Sequence, residues 1–247
     1  MPIIDAHAHY GEWFFPIRAS SAEDILDMFR KFDIEKAIFS SSKAIVYDMS
    51  EGNAELKSLL EEHPQFYGYV VANANYMEES KEEIDRYLGL EKFLGLKMHP
   101  DYSGQPINSP ASKEIISHSA RYRKALIVHT WGEQGVSNTL EVAGDFPSLN
   151  VIMAHMGGDG LDGAGWRAAI RAAGTAHNTY LEVCGSILDR DRIREAVEQV
   201  GAHRILFGSD MTLINPAFVM GMIVDSEISE DDKERIFYRN AKALFSI

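Results

Sequence analysis

Pro2-Ile3-Ile4-Asp5-Ala6-His7-Ala8-His9 stands near one end of the chain, and Arg204-Ile-Leu-Phe-Gly-Ser-Asp210 near the other. Each is a short apolar run that stops on side chains able to hold a metal ion. Working outward, the arrangement recurs. Ala125-Leu-Ile-Val-His129 and Asn150-Val-Ile-Met-Ala-His155 also end in histidine, and Phe93-Leu-Gly-Leu-Lys97-Met-His99 ends on a lysine and a histidine. Lys36–Ser41, Phe66–Asn73 and Thr179–Val183 complete a set of eight strand candidates. They are β-branched or aliphatic runs of strand length.

Between these runs lie segments with helical spacing. Ile25, Met28, Phe29 and Phe32 mark one face, and Ile193, Ala196, Val197 and Val200 repeat the i, i+3, i+4, i+7 pattern. The segment Glu51–Glu62 runs into His63-Pro64, a helix stop, and Ser229 followed by acidic residues predicts a helix cap. Strictly alternating strands and helices belong either to a (β/α)8 TIM barrel or to a doubly wound open sheet. Eight strands favour the barrel, an α/β fold in a single domain over residues 1–247. No Gly-rich phosphate fingerprint follows the first strand, which counts against dinucleotide binding.

Composition agrees with a globular enzyme. Of 247 residues, 45% are hydrophobic and 25% charged, and the formal net charge of −13 comes without any Lys/Arg-rich stretch. Nucleic acid and anionic membrane would be repelled at long range, which leaves a small-molecule substrate as the expected partner, with self-association open. One cysteine, Cys184, forms no intrachain disulfide and reads as a small apolar residue of the seventh strand. With no signal-peptide pattern and no apolar run of spanning length, the expected location is the cytoplasm.

In a parallel barrel, functional residues come from the C-terminal ends of strands and the loops after them. His7, His9, His129, His155 and Asp210 all fall there. In a strand, residues i and i+2 share a face about 6.6 Å apart, so His7 and His9 can converge on one ion while Ala8 faces the helix layer. Asp210 could instead cap a helix at a βα turn. His63, His118, His177 and His203 fall on helices or connecting loops and read as surface or locally bonded. The first loop, Tyr10-Gly-Glu-Trp-Phe-Phe-Pro-Ile-Arg18, together with Trp131 and Trp166-Arg167, is expected to wall a pocket or to pack the barrel mouth.

Ile-Asp-Ala-His-Ala-His9, strand-end His129, the Ala154-His155-Met-Gly-Gly turn and Phe207-Gly-Ser-Asp210 together resemble the amidohydrolase superfamily. Gly95-Leu-Lys-Met-His-Pro100 and Asn240-Ala-Lys-Ala-Leu-Phe245 look like its amidohydrolase-related branch, which holds metal-dependent hydrolases and nonoxidative decarboxylases. The resemblance implies one divalent ion on His7, His9, His129 and Asp210, with Asp210 and His155 catalytic and Lys97 and His99 facing the substrate. Zn²⁺ suits such donors best, with Mn²⁺, Fe²⁺ and Co²⁺ also compatible. A carboxylated Lys97 would instead bridge two ions, with His129 and His155 on the second; the uncarboxylated cation is the reading adopted. The expected chemistry is hydrolysis of an ester, lactone or amide by activated water. Decarboxylation of a small aromatic or unsaturated acid is the alternative, disfavoured by the absence of a sizeable insertion or lid. A non-catalytic metal-binding barrel would more naturally lack a ligand.

Overall fold

The eight apolar runs form one parallel sheet in the order β1-β2-β3-β4-β5-β6-β7-β8. The structure is a computed structural model that describes residues 1–17, 21–158, 163–185 and 191–247. The strands are β1 (Ile3–Tyr10), β2 (Ile34–Ser41), β3 (Phe66–Ala72), β4 (Phe93–Met98), β5 (Ala125–His129), β6 (Val151–Ala154), β7 (Thr179–Glu182) and β8 (Ile205–Leu206). Between β8 and β1 the ring is closed by Ala6 N–H to Phe207 O at 2.9 Å and Asp210 N–H to His7 O at 2.8 Å. The fold is a single-domain TIM barrel, as the alternation predicts.

Helices follow the strands and cover the outside. Ala22–Phe32 carries the first predicted face, with Ile25 and Phe29 buried and Ser21 closing a capping box with Asp24. Met49–Glu62 ends at His63, and Arg192–Val200 contains the last predicted face. Ser229 caps Glu230–Glu234 as expected. Among the described residues, no helix is long and apolar enough to cross a membrane.

Two apolar layers separate inside from outside. Ile4, Ala6, Ile38, Tyr69, Ile127, Ile152 and Leu206 fill the barrel, with Phe245 packed against them. Phe39, Val70, Leu126, Val128 and Met153 face the helices, as does Ala8, which lies in one cluster with Ile25 and Phe29. Ile4 and Ala6 face inward, yet Ala8 faces outward, so β1 changes phase along its length. Asp5 is opposite Ala37 and Ala8 opposite Phe39, three steps of β1 against two of β2. That bulge turns the odd-numbered residues after it, His7 and His9, into the barrel.

The sequence overstates the last strands. β8 keeps only Ile205 and Leu206, so Asp210 stands in the loop beyond, and His155 opens a one-turn 3-10 segment after β6. Trp166 and Arg167 lie within the helix Ala164–Thr175 instead of a loop, and Trp166 is buried there. Arg18 of the first loop and Asp159-Gly160 of the His155 loop lie outside the described residues.

Interior packing leaves no room at Gly95 on β4, where a Cβ would sit 2.4 Å from the Ala125 carbonyl oxygen of β5. Gly95→Ala should therefore destabilise the barrel by about 1–3 kcal/mol, the usual range for overpacking. Urea unfolding should show a lower midpoint with an unchanged slope. An unchanged midpoint would mean that β4 and β5 can separate freely at this level.

Candidate active site

His7 and His9 reach the upper barrel from β1, and Asp210 comes to meet them from the loop after β8. Asp210 Oδ1 lies 3.0 Å from His9 Nε2 and 3.9 Å from His7 Nε2. All three residues are buried. Ligands about 2.1 Å from one tetrahedral ion stand about 3.4 Å apart, so these spacings fit a shared cation. Despite its proximity to His9, Asp210 Oδ1 receives no well-directed hydrogen bond from the described residues. A buried carboxylate oxygen left in that condition calls for a further group.

The backbone helps to aim these ligands. Asp210 has φ 58° and His155 φ 60°, both left-handed and neither glycine. Such a conformation costs about 1–2 kcal/mol and is characteristic of sites that the surrounding structure holds in place. Asp210 does not cap the next helix. That helix, Pro216–Asp225, is capped by Asn215.

His155 and His129 form a second pair. His155 Nε2 and His129 Nδ1 are 2.9 Å apart, and His129 Nε2 is 3.1 Å from Asp101 Oδ2. His129 therefore stands one ring away from the group formed by His7, His9 and Asp210. His99 stacks on His129 at 3.8 Å and on Tyr102 at 4.1 Å, and its Nδ1 is buried without a partner among the described residues. Trp13 lies edge-on to His9 at 4.9 Å, with its Nε1 likewise buried and unpartnered among the described residues. With Trp131 over His129 at 6.0 Å, these rings make an aromatic rim at the barrel mouth.

Lys97 Nζ is fully buried and 2.9 Å from His7 Nε2. Burial lowers its pKa to about 8, against the opposing pull of Asp210, Cys184 and Glu182. Asp5, the buried acid of β1, is engaged elsewhere and accepts from the Ser209 backbone N–H. Burial pushes the pKa values of His7, His9, His99 and His155 down, with nearby cations adding to the effect. These imidazoles are neutral and keep the lone pair a metal requires. For Asp210, burial raises the pKa, but His9 above all, then His7 and Lys97, bring it below the ordinary carboxylate value.

Sequence reasoning missed two residues of β7 and its end. Glu182 is fully buried and receives His7 Nδ1 at 2.8 Å. Cys184, expected to be only a packing residue, has its sulfur 3.3 Å from His7 Nδ1 and 3.2 Å from His155 Nδ1. Burial, reinforced by Glu182, pushes its thiol well up, so it stays protonated. The available signal was parity: Tyr180, Glu182 and Cys184 alternate along β7 as Ala125, Ile127 and His129 do along β5.

Comparison with known proteins places this geometry. A gamma-resorcylate decarboxylase from Polaromonas sp. is 28% identical over 145 residues, covering 49% of this chain and 44% of that protein, so the shared stretch is less than half of the relative's length. The dihydroxybenzoic acid decarboxylase structure from Polaromonas sp. JS666, with bound manganese and 2-nitroresorcinol, superposes with a TM-score of 0.80 at 18% identity, covering 99% of this chain and 96% of that one. A probable 2-pyrone-4,6-dicarboxylic acid hydrolase from Acinetobacter baumannii, with citric acid bound, gives 0.76 at 13% identity and full coverage of both chains. At such identities the structural likeness speaks for the fold. The profile that describes the Amidohydrolase family matches residues 4–247, and the chain belongs to that family.

Proposed function

We propose that the chain is a metal-dependent nonoxidative decarboxylase of a small aromatic acid carrying a hydroxyl beside its carboxylate. The supporting observation is the convergence of His7, His9 and Asp210 on one buried point beneath an aromatic rim, in a chain whose curated relative is a decarboxylase. This reverses the preference for hydrolysis drawn from chain length. Hydrolysis of an ester, lactone or amide remains the second reading, favoured by the likeness to the pyrone hydrolase.

In this reading one divalent cation would be held by His7, His9 and Asp210, without the expected His129, whose two nitrogens face His155 and Asp101 instead. Imidazole donors suit Zn²⁺ and carboxylate donors suit Mn²⁺, so the mixed set accepts both. When bound, the ion would supply positive charge that stabilises the anionic oxygens of the substrate. Lys97 and His99 orient the acid, and the open Nδ1 of His99 and Nε1 of Trp13 offer it hydrogen-bonding positions. Asp210 takes up a proton from solvent, the hydroxide left behind returning to bulk water, and delivers it to the ring carbon that bears the carboxylate. The carbon–carbon bond then breaks, its electron pair returns to the ring and carbon dioxide leaves. A carboxyl group whose pKa is held low is, once protonated, a strong acid, which suits proton delivery to carbon. His155 completes the site by stabilising charge on the reacting oxygens.

Protein reconstituted with Mn²⁺ or Zn²⁺ should release carbon dioxide from one or more members of a hydroxybenzoate panel. Turnover of lactones or amides, with no carbon dioxide from any acid, would establish the hydrolase instead. Asp210→Asn should lower kcat by about 10²-fold or more while the thermal midpoint stays near that of the parent. Near-normal turnover by this variant would remove Asp210 from proton transfer. Lys97→Ala should mainly raise KM with metal content retained at one ion per chain. Two ions per chain, one of them lost in Lys97→Ala, would reveal a bridging carbamate.

A further inference from the structure

Glu182 gathers more of the site than any ligand does. Its Oε2 accepts from His7 Nδ1 at 2.8 Å, from the His155 backbone N–H at 3.2 Å and from the Cys184 thiol at 3.0 Å, while Oε1 accepts from the Cys184 backbone N–H at 2.6 Å. The carboxylate is fully buried. Space for it exists because residue 208 is glycine: a Cβ there would lie 2.3 Å from Oε1.

His7, His155, Glu182 and Cys184 present enough donors to suggest a second metal site. The His7–Glu182 contact reads more simply as a directed hydrogen bond. Around a tetrahedral Zn²⁺, nitrogen and sulfur ligands stand about 3.5 Å apart and nitrogen and oxygen about 3.3 Å. Here the sulfur is 3.2 and 3.3 Å from the two imidazole nitrogens, and the nitrogen–oxygen pair is at 2.8 Å. The last is a hydrogen-bond length.

We propose that Glu182 is the positioning residue of the metal centre, fixing His7 with its proton on Nδ1 and its Nε2 lone pair turned toward Asp210. Oε2 already accepts from the His155 N–H and the Cys184 thiol, so it faces His7 as an acceptor and the shared hydrogen belongs to His7 Nδ1. The opposite nitrogen is then the one left to coordinate, and Lys97 already donates toward it at 2.9 Å. A carboxylate behind a ligating imidazole fixes its orientation and raises its basicity, and losing such a group costs about 10–100-fold in metal affinity. The assignment rests on the metal-dependent reading above.

Calorimetric titration of metal-stripped protein with Mn²⁺ tests it, alongside nitrogen-15 NMR of the metal-free wild type. Glu182→Ala should bind Mn²⁺ about 10–100-fold more weakly than wild type. Glu182→Gln, which keeps one acceptor oxygen, should lose less. Wild-type affinity in both variants, with folding intact, overturns the assignment while leaving the metal reading in place. Should neither variant fold, the NMR spectrum decides: a neutral His7 protonated on Nδ1 supports the role, and one protonated on Nε2 overturns it. Wild-type protein that takes up no ion overturns the metal reading, and the positioning role with it, whatever the state of His7.

Discussion

Asp5 sits beneath the whole arrangement. Its Oδ1 accepts from the backbone N–H groups of His7 at 3.1 Å and Ser209 at 3.0 Å, and its other oxygen accepts from the Ser209 hydroxyl. One buried carboxylate thus ties the bulged part of β1 to the end of β8, beside the first histidine on one side and Asp210 on the other. Burial raises its pKa to about 7, with the bonds from Ser209 and His7 acting in the opposite direction. Burying such a group is costly unless it is well bonded, and breaking a buried polar network costs more than its formation contributes. The clamp is therefore best understood as an alignment device. It sets the distance between residues that are more than 200 positions apart in the chain.

Much of this was legible in the sequence because the barrel repeats a simple unit. Apolar runs ending in polar residues exposed all eight strands, and the helical faces at Ile25 and Ile193 were visible in their spacing. What escaped was anything that depends on phase or on contacts across the barrel. His7 and His9 obey the i, i+2 rule locally, but Ile4 and Ala6 also face inward, and only the bulge between them reconciles the two. Glu182 was hidden because parity along β7 puts it on one face with Tyr180 and Cys184 but does not by itself say that this face is the inner one. Cys184 looked like filler for the same reason: its role comes from two histidines contributed by other strands. The short β8 had a related cause, since Gly208 and Ser209 serve the neighbouring Glu182 and Asp5 and do not extend a ladder.

The fold accommodates both chemistries seen among similar proteins, as expected for a barrel whose reactivity resides in the loops at one end. In this chain the mouth of the barrel has an aromatic lining. Trp13, Tyr102, His99, His129 and Trp131 form a nearly continuous set of flat surfaces. Flat rings favour a flat guest through offset or edge-on contacts. The unpartnered nitrogens of His99 and Trp13 supply direction to an otherwise apolar wall.

The bulge in β1 makes the first few residues behave like a reading frame. Before it, even-numbered side chains fill the core; after it, odd-numbered ones enter the site. Deleting one residue from Asp5 to Ala8 would erase that offset and carry both histidines toward the helix layer, even with every ligand still encoded. A substitution at the same positions changes only size or charge. This stretch should therefore tolerate many exchanges of side chain in a sequence library, yet almost no change in its length.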